Sequence, residues 1–256
     1  MNLKELYAIS DRIIVTAHRG DSLHFPENTI PAFLAAVEAG ADLIEFDLRA
    51  SRDKIPVVIH DRKVYRISSG SSPVGDYSLK ELKQLDFLPA GEAQKIRIPT
   101  FEEVLETLPD MIGLNIQVKE TENVLLEKIC SLFDCYRLYQ RAYLTLSTFA
   151  DAELVRQINS RIELCVLERK RPLDLVLLKE MKDFGCKFLQ PHRRDVTPEL
   201  CLQIHNLGFY ANMYFSNTVE DHHHFIAAGV RGIITDDPAL LVQTLKNMER
   251  YTGSAG

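Results

Sequence analysis

The chain has 256 residues, of which 46% are hydrophobic and 26% are charged, and its formal net charge at pH 7 is −6. This composition is typical of a globular protein with a sizeable core and excludes a largely disordered chain. Because the balance is acidic and no basic block stands out, a nucleic-acid footprint is not expected, and attraction for an anion must come from local arginines, lysines or a metal.

The N-terminus and the cysteines bear on the location of the protein. The first residues, Met1 to Leu6, include an acidic side chain and no apolar core, so no signal peptide is expected. No window approaches about 18 uninterrupted apolar residues, so no membrane insertion is expected. The five cysteines form no CxxC pair and are interpreted as reduced, mostly buried thiols. The sequence therefore predicts a cytoplasmic protein.

Apolar runs of strand length alternate with amphipathic helical patterns almost to the end of the chain. Strands are predicted at 13–17, 42–48, 112–118, 142–147, 162–166, 187–190, 209–214 and 232–235. Helices are predicted at 29–39, 120–134, 150–159, 172–184, 197–206, 218–228 and 237–249. This alternation is typical of a parallel sheet with crossover helices, and eight strands suit a closed TIM (β/α)₈ barrel. A doubly wound open sheet is the alternative architecture.

A ninth apolar run, 56–60, follows the second strand too closely for a crossover helix. We therefore predict a hairpin, in which this run returns antiparallel to the second strand. A turn at Asp53 and Lys54 would set His60 opposite Asp47.

Residues from about 61 to 110 depart from the strand–helix period of the barrel. They contain a loop rich in serine and two short predicted helices, near 78–86 and 100–108. We interpret this stretch as an insertion in the second βα unit that is too short for a core of its own. Residues 1–256 are therefore predicted to form a single domain.

Reactive side chains stand at the ends of the first two predicted strands. His18 and Arg19 follow the first strand and precede Gly20, which would let the backbone approach a ligand. Glu45 and Asp47 lie two apart on the second strand, so both side chains point to the same side. Two inward carboxylates are costly unless a cation or hydrogen bonds balance them, and hard divalent cations prefer oxygen ligands.

The next candidates follow the hairpin and the third barrel strand. His60 ends the returning arm of the hairpin, and Asp61 would orient its imidazole. Gln117 and Lys119 share one side of the third strand by the same period of two. Taken singly, each of these residues also has a purely structural interpretation. The histidines would be structural, the carboxylates would form salt bridges at a strand end, and Lys119 would lie on the surface. Together with the first group, they suit metal-assisted attack at a phosphorus centre.

Several short motifs, in their order along the chain, are similar to those of the glycerophosphodiester phosphodiesterase family. They are His18-Arg19-Gly20, Pro26-Glu27-Asn28-Thr29, Glu45-x-Asp47, His60-Asp61 and the run from Gly229 to Asp236. The resemblance implies a TIM barrel that hydrolyses glycerophosphodiesters to sn-glycerol 3-phosphate and an alcohol. The expected partner is thus a small-molecule substrate, and the sequence leaves open whether the chain forms a homo-oligomer.

The resemblance also implies a role for each site residue. His18 and His60 would be the general acid and base, Arg19 and Lys119 would contact the phosphate, Tyr214 would line the substrate pocket, and Glu45, Asp47 and Gln117 would bind Mg²⁺ or Ca²⁺. The family usually has glutamate at the position of Gln117, and an aromatic tryptophan where this chain has Tyr214. An amide oxygen still coordinates a hard cation, but the site loses one negative charge.

Two other functions fit the same residues. One is a lysophospholipase D-type lipid phosphodiesterase, and the other is a catalytically weakened barrel that binds phosphodiesters, which only Gln117 favours. Two further polar runs stand outside the motifs. The run from Asp221 to His224 falls in a predicted helix and is interpreted as a solvated surface. The run from Pro191 to Asp195 follows a strand, so His192 or Arg193 would contact the leaving alcohol or else line a loop.

Overall fold

A computed structural model describes residues 2–9, 12–86 and 96–250 of the chain. Its helices are α1 (Leu3–Ala8), α2 (Ile30–Glu38), α3 (Leu79–Leu82), α4 (Phe101–Thr107), α5 (Asn123–Cys135), α6 (Phe149–Ile158), α7 (Leu175–Asp183), α8 (Pro198–Asn206), α9 (Val219–Ala227) and α10 (Pro238–Asn247). Its strands are β1 (Ile14–His18), β2 (Leu43–Ala50), β3 (Pro56–Val58), β4 (Gly113–Val118), β5 (Ala142–Leu146), β6 (Leu164–Val166), β7 (Phe188–Leu189), β8 (Tyr210–Ala211), β9 (Met213–Tyr214) and β10 (Gly232–Thr235).

The parallel strands close into a TIM barrel, which confirms the predicted fold and excludes the open sheet. Their order around the sheet is β8-β7-β6-β5-β4-β2-β1-β10-β9, and β3 pairs with β2 alone. The two ends of this path, β8 and β9, are consecutive in the chain and are separated only by Asn212. They are therefore two pieces of one barrel strand, and eight strand positions complete the circle. β1, β2, β4 and β5 are almost wholly buried, as expected when helices cover the outside of the barrel and side chains fill the inside.

The crossover helices begin where side-chain oxygens satisfy their first backbone N–H groups. Thr29, Thr148, Thr197 and Thr218 each accept a hydrogen bond from the backbone three residues later, at the starts of α2, α6, α8 and α9. Such caps fix the first turn of a helix and contribute about 1 kcal/mol each. Each of these helices follows the carboxyl end of a strand, so the caps also fix where the loops at the barrel mouth end.

The predicted hairpin is present, but its register differs from the prediction by one residue. Leu48 pairs with Val58 in the antiparallel ladder, and the backbone N–H of Ile59 bonds the carbonyl of Asp47. The turn contains three residues instead of two, and Lys54 takes a left-handed conformation at φ 60°. His60 therefore lies beyond the ladder and is not directly opposite Asp47.

The insertion after the hairpin builds a small hydrophobic cluster, which corrects the expectation that it has no core. The cluster consists of Val57, Ile59, Val64, Ile67, Val74, Leu82 and Ile98. Val57 lies in β3, so the cluster is continuous with the strand that returns along the barrel. The short predicted helices of the insertion are confirmed as α3 and α4, each with a capping box at its start.

The end of the barrel opposite the mouth is closed by α1, which the sequence analysis did not predict. Leu3 and Leu6 of this helix pack with Tyr143 and Phe188 from inside the barrel. Within the residues that the structure describes, no helix is long and apolar enough to cross a membrane. The five cysteines, all in the described part of the chain, are unpaired there.

Candidate active site

His18 is held by a carboxylate from the last strand of the barrel. β1 pairs with β10, and the pair Ala17 and Thr235 brings the following residues, His18 and Asp236, side by side. The imidazole Nδ1–H donates to Asp236 Oδ1 at 2.6 Å, and Asn217 donates to the other carboxylate oxygen at 2.5 Å. Burial raises the pKa of Asp236, but the hydrogen bond from His18 and the other donors outweigh it, so the pKa lies below its ordinary value. The bond at Nδ1 leaves His18 Nε2 directed into the site.

His60 is held in the same manner by its neighbour in the chain. Its Nδ1–H donates to Asp61 Oδ1 at 2.7 Å, and Arg66 donates to the other oxygen of Asp61 at 2.5 Å. Burial raises the pKa of Asp61, but these hydrogen bonds lower it to about 2. Burial lowers the pKa of His60, and the nearby charges of Lys119 and Arg19 lower it further against the opposing field of Asp47. His60 is therefore close enough to Asp47 to sense its charge.

Glu45 and Asp47 project into the barrel from β2, as the period of two predicts. Both carboxylates are almost fully buried. His18 Nε2 lies 3.9 Å from Glu45 Oε2, which also accepts the backbone N–H of Arg19 at 3.2 Å. Burial and the adjacent charge of Asp47 raise the pKa of Glu45 to about 7. Burial next to Asp47 thus disfavours the ionised form of Glu45.

Asp47 is surrounded by donors from two segments, the loop after β1 and the residue that follows β4. Lys119 Nζ lies 2.9 Å from its Oδ1, and Arg19 Nε lies 3.3 Å from its Oδ2. Asn28 Nδ2 donates to Oδ2 at 3.0 Å, and the backbone N–H of Asp47 donates back to Asn28. Burial raises the pKa of Asp47, but Lys119 and Arg19 outweigh it and lower the pKa. Lys119 also donates to Gln117 Oε1 at 2.8 Å, so its ammonium joins Asp47 and Gln117.

The donor set on β2 and β4 fits a hard divalent cation. Glu45 and Asp47 offer carboxylate oxygens, and Gln117, which pairs with Asp47 across the two strands, offers an amide oxygen. The raised pKa of Glu45 indicates that further positive charge would stabilise both carboxylates in their ionised form. No group of three or more His, Cys, Asp or Glu side chains suited to a metal occurs in the described residues. The amide of Gln117 would therefore have to complete the set.

The loop after β1 contributes residues whose roles the sequence analysis did not derive. Arg19 and Asn28 both adopt left-handed backbone conformations, at φ 57° and 58°, and the N–H of Asn28 bonds the carbonyl of Arg19. Glu27 accepts hydrogen bonds from Arg19 at 3.0 Å and from Arg66 at 2.7 Å. The motif around Glu27 thus fixes both the guanidinium that faces Asp47 and the arginine that bonds Asp61.

Packing against α2 requires glycine at position 20, a reason that the sequence analysis did not identify. A Cβ at this position would lie 2.6 Å from the backbone carbon of Ala32 in α2, and φ is +87°. The N–H of Asp21 bonds the carbonyl of Ala32 at 2.9 Å. Glycine is needed here because the loop folds directly against the helix.

Tyr214 forms the wall of the mouth next to His18. Its ring meets the His18 ring edge-on with centroids 5.1 Å apart, and it meets the His192 ring similarly at 6.0 Å. His192 therefore lies at the catalytic end of the barrel, as predicted from its position after β7. Arg193 instead pairs with Asp221 of α9 at 2.9 Å.

The histidines of α9 do not all form a solvated surface, which corrects that interpretation. His222 is fully buried and lies within 3.3 Å of both Thr244 Oγ1 and the carbonyl of Ser216. His223 and His224 are exposed. The helical period turns His222 and Phe225 to the same side, so one histidine of the run faces the barrel wall.

An apolar groove of about 490 Å³ lies away from these residues, between α8 and the turn before β10. Its lining includes Leu200, Ile204, Met213 and Val230 and none of the predicted site residues. The predicted site residues lie instead at the barrel mouth.

The mouth combines paired imidazoles, each oriented by a carboxylate, with a mixed cluster of acidic and basic groups. The carboxyl ends of the strands are where barrel enzymes collect their reactive groups, and the basic side chains here suit an anionic substrate.

Comparison with known proteins defines the family. Residues 18–240 match the glycerophosphoryl diester phosphodiesterase family. A glycerophosphodiester phosphodiesterase of Caldanaerobacter subterraneus subsp. tengcongensis is 33% identical, over 92% of this chain and 98% of its own. A human lysophospholipase D is 26% identical, over 90% of this chain and 85% of its own. The chain therefore belongs to the glycerophosphoryl diester phosphodiesterase family, as the motifs predicted.

A solved structure shares the fold. It is a phosphodiesterase of Oleispira antarctica in complex with the product sn-glycerol 3-phosphate, with a TM-score of 0.80 and 24% sequence identity. The match covers 91% of this chain and 96% of the other. The barrel and its connections are thus those of this family of enzymes.

Proposed function

We propose that this enzyme is a divalent-cation-dependent phosphodiesterase that hydrolyses glycerophosphodiesters to sn-glycerol 3-phosphate and an alcohol. Membership of the family supports glycerophosphodiester phosphodiesterase activity. The observation that carries the mechanism is the matched orientation of two imidazoles: His18 and His60 each donate Nδ1–H to a carboxylate, at 2.6 and 2.7 Å. In both rings Nε2 is then the nitrogen that can exchange a proton with the substrate.

The two histidines would divide the proton transfers of the hydrolysis. A water oxygen attacks phosphorus as one imidazole accepts its proton, and the bond from phosphorus to the alcohol oxygen breaks as the other imidazole donates a proton to that oxygen. The lowered pKa of His60, which results mainly from burial, favours its neutral form at neutral pH. That form can accept a proton.

Glu45, Asp47 and Gln117 would hold Mg²⁺ or Ca²⁺. When bound, such a cation supplies positive charge that stabilises the negative charge developing on the phosphoryl oxygens. The contact of 2.9 Å between Lys119 Nζ and Asp47 Oδ1 supports this placement of the cation, because a positively charged group already lies against the same carboxylate. Arg19 and Lys119 would turn to the phosphate of the substrate, and Tyr214 would bound the pocket beside His18.

The test is the release of sn-glycerol 3-phosphate from glycerophosphocholine and glycerophosphoethanolamine in EDTA, Mg²⁺, Ca²⁺ or Mn²⁺. We expect turnover with at least one cation and its loss in EDTA. Equal turnover in EDTA would contradict the metal dependence, and no turnover under any condition would contradict the substrate. Binding of the diesters without turnover would identify the weakened barrel that Gln117 favours.

A lysophospholipase D-type activity is the second candidate. On the loop after β1, Leu23 and Phe25 are 62% and 40% exposed, and the backbone N–H of Leu23 bonds the carbonyl of Asp236. Exposed apolar side chains beside the reacting groups would suit an acyl chain. A higher kcat/KM for long-chain lysophosphatidylcholine than for glycerophosphocholine would support this candidate, and the reverse would exclude it.

We further propose that the chain acts as one barrel domain in the cytoplasm. The small cluster of the insertion includes Val57 of β3 and is therefore joined to the barrel. The unpaired cysteines of the described residues support a reducing compartment.

A further inference from the structure

Arg169 occupies an unusual position at the barrel mouth. It follows β6 and is half-buried, yet within the residues that the structure describes its guanidinium makes no hydrogen bond and no ion pair. Burial lowers the pKa of Arg169, but an arginine keeps its charge throughout the physiological range. A partly desolvated cation without a fixed anion is costly unless a ligand completes it.

In the described residues, neither Glu168 nor Asp195 bonds the guanidinium of Arg169, although the charge of Asp195 acts on it. The carboxylate of Glu168 accepts the backbone N–H of Phe149 at 3.0 Å, at the start of α6. Asp195 lies 3.5 Å from Arg194. Arg169 lines one pocket with Arg171, Arg194 and Asp195, at the ends of β6 and β7. In the described residues, Arg171 pairs with Glu180 and Arg194 with Asp195, which leaves Arg169 as the cation of this pocket without an ion pair.

His192 extends this group of donors toward the reacting centre. Its Nδ1 accepts the backbone N–H of Arg194 at 3.2 Å, so in the neutral ring Nε2 carries the proton and can donate. The fields of Arg169 and Arg194 both act on this imidazole. Two ring contacts, of 6.0 Å from His192 to Tyr214 and 5.1 Å from Tyr214 to His18, connect the group to the catalytic histidine.

We propose that Arg169, with His192 and Arg194, forms a second anion site that selects glycerophosphodiesters whose leaving alcohol carries a phosphate monoester. The scissile phosphate lies at His18, and the alcohol passes Tyr214 to bring its own phosphate to Arg169. The planar guanidinium can bond two phosphate oxygens at once. This inference rests on the proposed phosphodiesterase activity and specifies which substrates the enzyme prefers.

The experiment compares glycerophosphoinositol with glycerophosphoinositol 4-phosphate, which differ by one phosphate on the leaving alcohol. Release of sn-glycerol 3-phosphate is measured for both with the native enzyme and with Arg169→Gln, Arg169→Lys and Arg171→Gln. We expect the native enzyme to prefer the phosphorylated diester. In Arg169→Gln this preference should fall by about 10- to 100-fold, the effect of losing a charged hydrogen bond, and the fall should appear in KM.

The matched control is Arg171, two residues further along the chain. It lines the same pocket, but its guanidinium is exposed and already bonds both oxygens of Glu180, at 2.6 and 2.9 Å. Arg171→Gln removes the same charge and should leave the preference unchanged. Arg169→Lys keeps the charge and should retain part of the preference, whereas a purely structural role of Arg169 would lower kcat for both diesters alike.

The outcomes separate this inference from the proposed function. Turnover of both diesters with no preference for the phosphorylated one, or a preference that survives Arg169→Gln, would overturn the second anion site and leave the phosphodiesterase intact. Absence of turnover for both diesters in every cation would overturn the phosphodiesterase and this inference with it. Thermal unfolding of Arg169→Gln at the native temperature verifies that the variant is folded.

Discussion

Replacing Gln117 by glutamate should increase the affinity of the site for a divalent cation. The amide oxygen of Gln117 lies 2.8 Å from Lys119 Nζ, which also lies 2.9 Å from Asp47. Glutamate has the same shape but brings a full negative charge to that oxygen. Because the affinity of oxygen sites for hard cations rises with the charge of their ligands, a third carboxylate should strengthen binding.

The magnitude follows from linkage between binding and folding. A cation bound about tenfold more tightly adds about 1.4 kcal/mol to the free energy of unfolding when it is in excess. For a chain of this length, this raises the Tm by about 3 to 6 °C. In EDTA the new carboxylate meets Lys119, which offsets repulsion from Asp47, so the change without metal should stay below about 1 kcal/mol.

The assay is thermal unfolding of the native protein and of Gln117→Glu in EDTA, Mg²⁺, Ca²⁺ and Mn²⁺. Gln243→Glu, on the exposed side of α10, is the control because it adds the same charge away from the mouth. We expect a larger metal-induced rise in Tm for Gln117→Glu than for either other protein. Equal rises in all three proteins would refute the assignment of residue 117 to the metal site, whatever the activity.

Three further predictions concern the catalytic histidines, their orientation and the loop after β1. His18→Ala and His60→Ala should each lower kcat by about 100- to 10,000-fold with little change in Tm. Full activity of one of these variants would show that the histidine it lacks is not part of the acid–base pair. Asp236→Asn should lower kcat by about 100-fold because His18 loses the carboxylate that orients it; an unchanged kcat would show that this bond is dispensable. Gly20→Ala should lower the free energy of unfolding by about 2 to 4 kcal/mol, and Gly208→Ala by about 1 kcal/mol. Both glycines have positive φ, but only Gly20 lies against the backbone of another element. Urea unfolding measures both losses, and equal losses would contradict the steric explanation.

The barrel strands could be predicted because each is a short, buried apolar run between a helix end and a polar loop. β10, at 232–235, has the bounds that the sequence predicts, and β4 differs by one residue. Such runs are local signals, and both faces of the sheet are covered. The register of the hairpin was not predictable in the same way, since it depends on whether its turn has two or three residues. Lys54 takes the left-handed position that a glycine usually marks, so the sequence carries no signal for the longer turn.

Part of the active site follows from strand periodicity alone. Alternation of side chains places Glu45 with Asp47 and Gln117 with Lys119, and the structure brings Asp47, Gln117 and Lys119 into contact. Periodicity does not predict the conformation of loops, however, and Glu27 lies on the loop between β1 and α2. Its ion pairs with two arginines depend on the path of the chain between β1 and α2, which left-handed residues determine.

The partner of His18 is the residue that sequence reasoning was least able to find, because the two are 218 positions apart. Only closure of the barrel brings β10 beside β1. Closure was itself predicted from eight strands, and parallel pairing of the first and last strands aligns their carboxyl ends. His18, the last residue of β1, and Asp236, the first residue after β10, must then be neighbours at the mouth. The pair therefore follows from the topology of the strand ends and not from the composition of either segment.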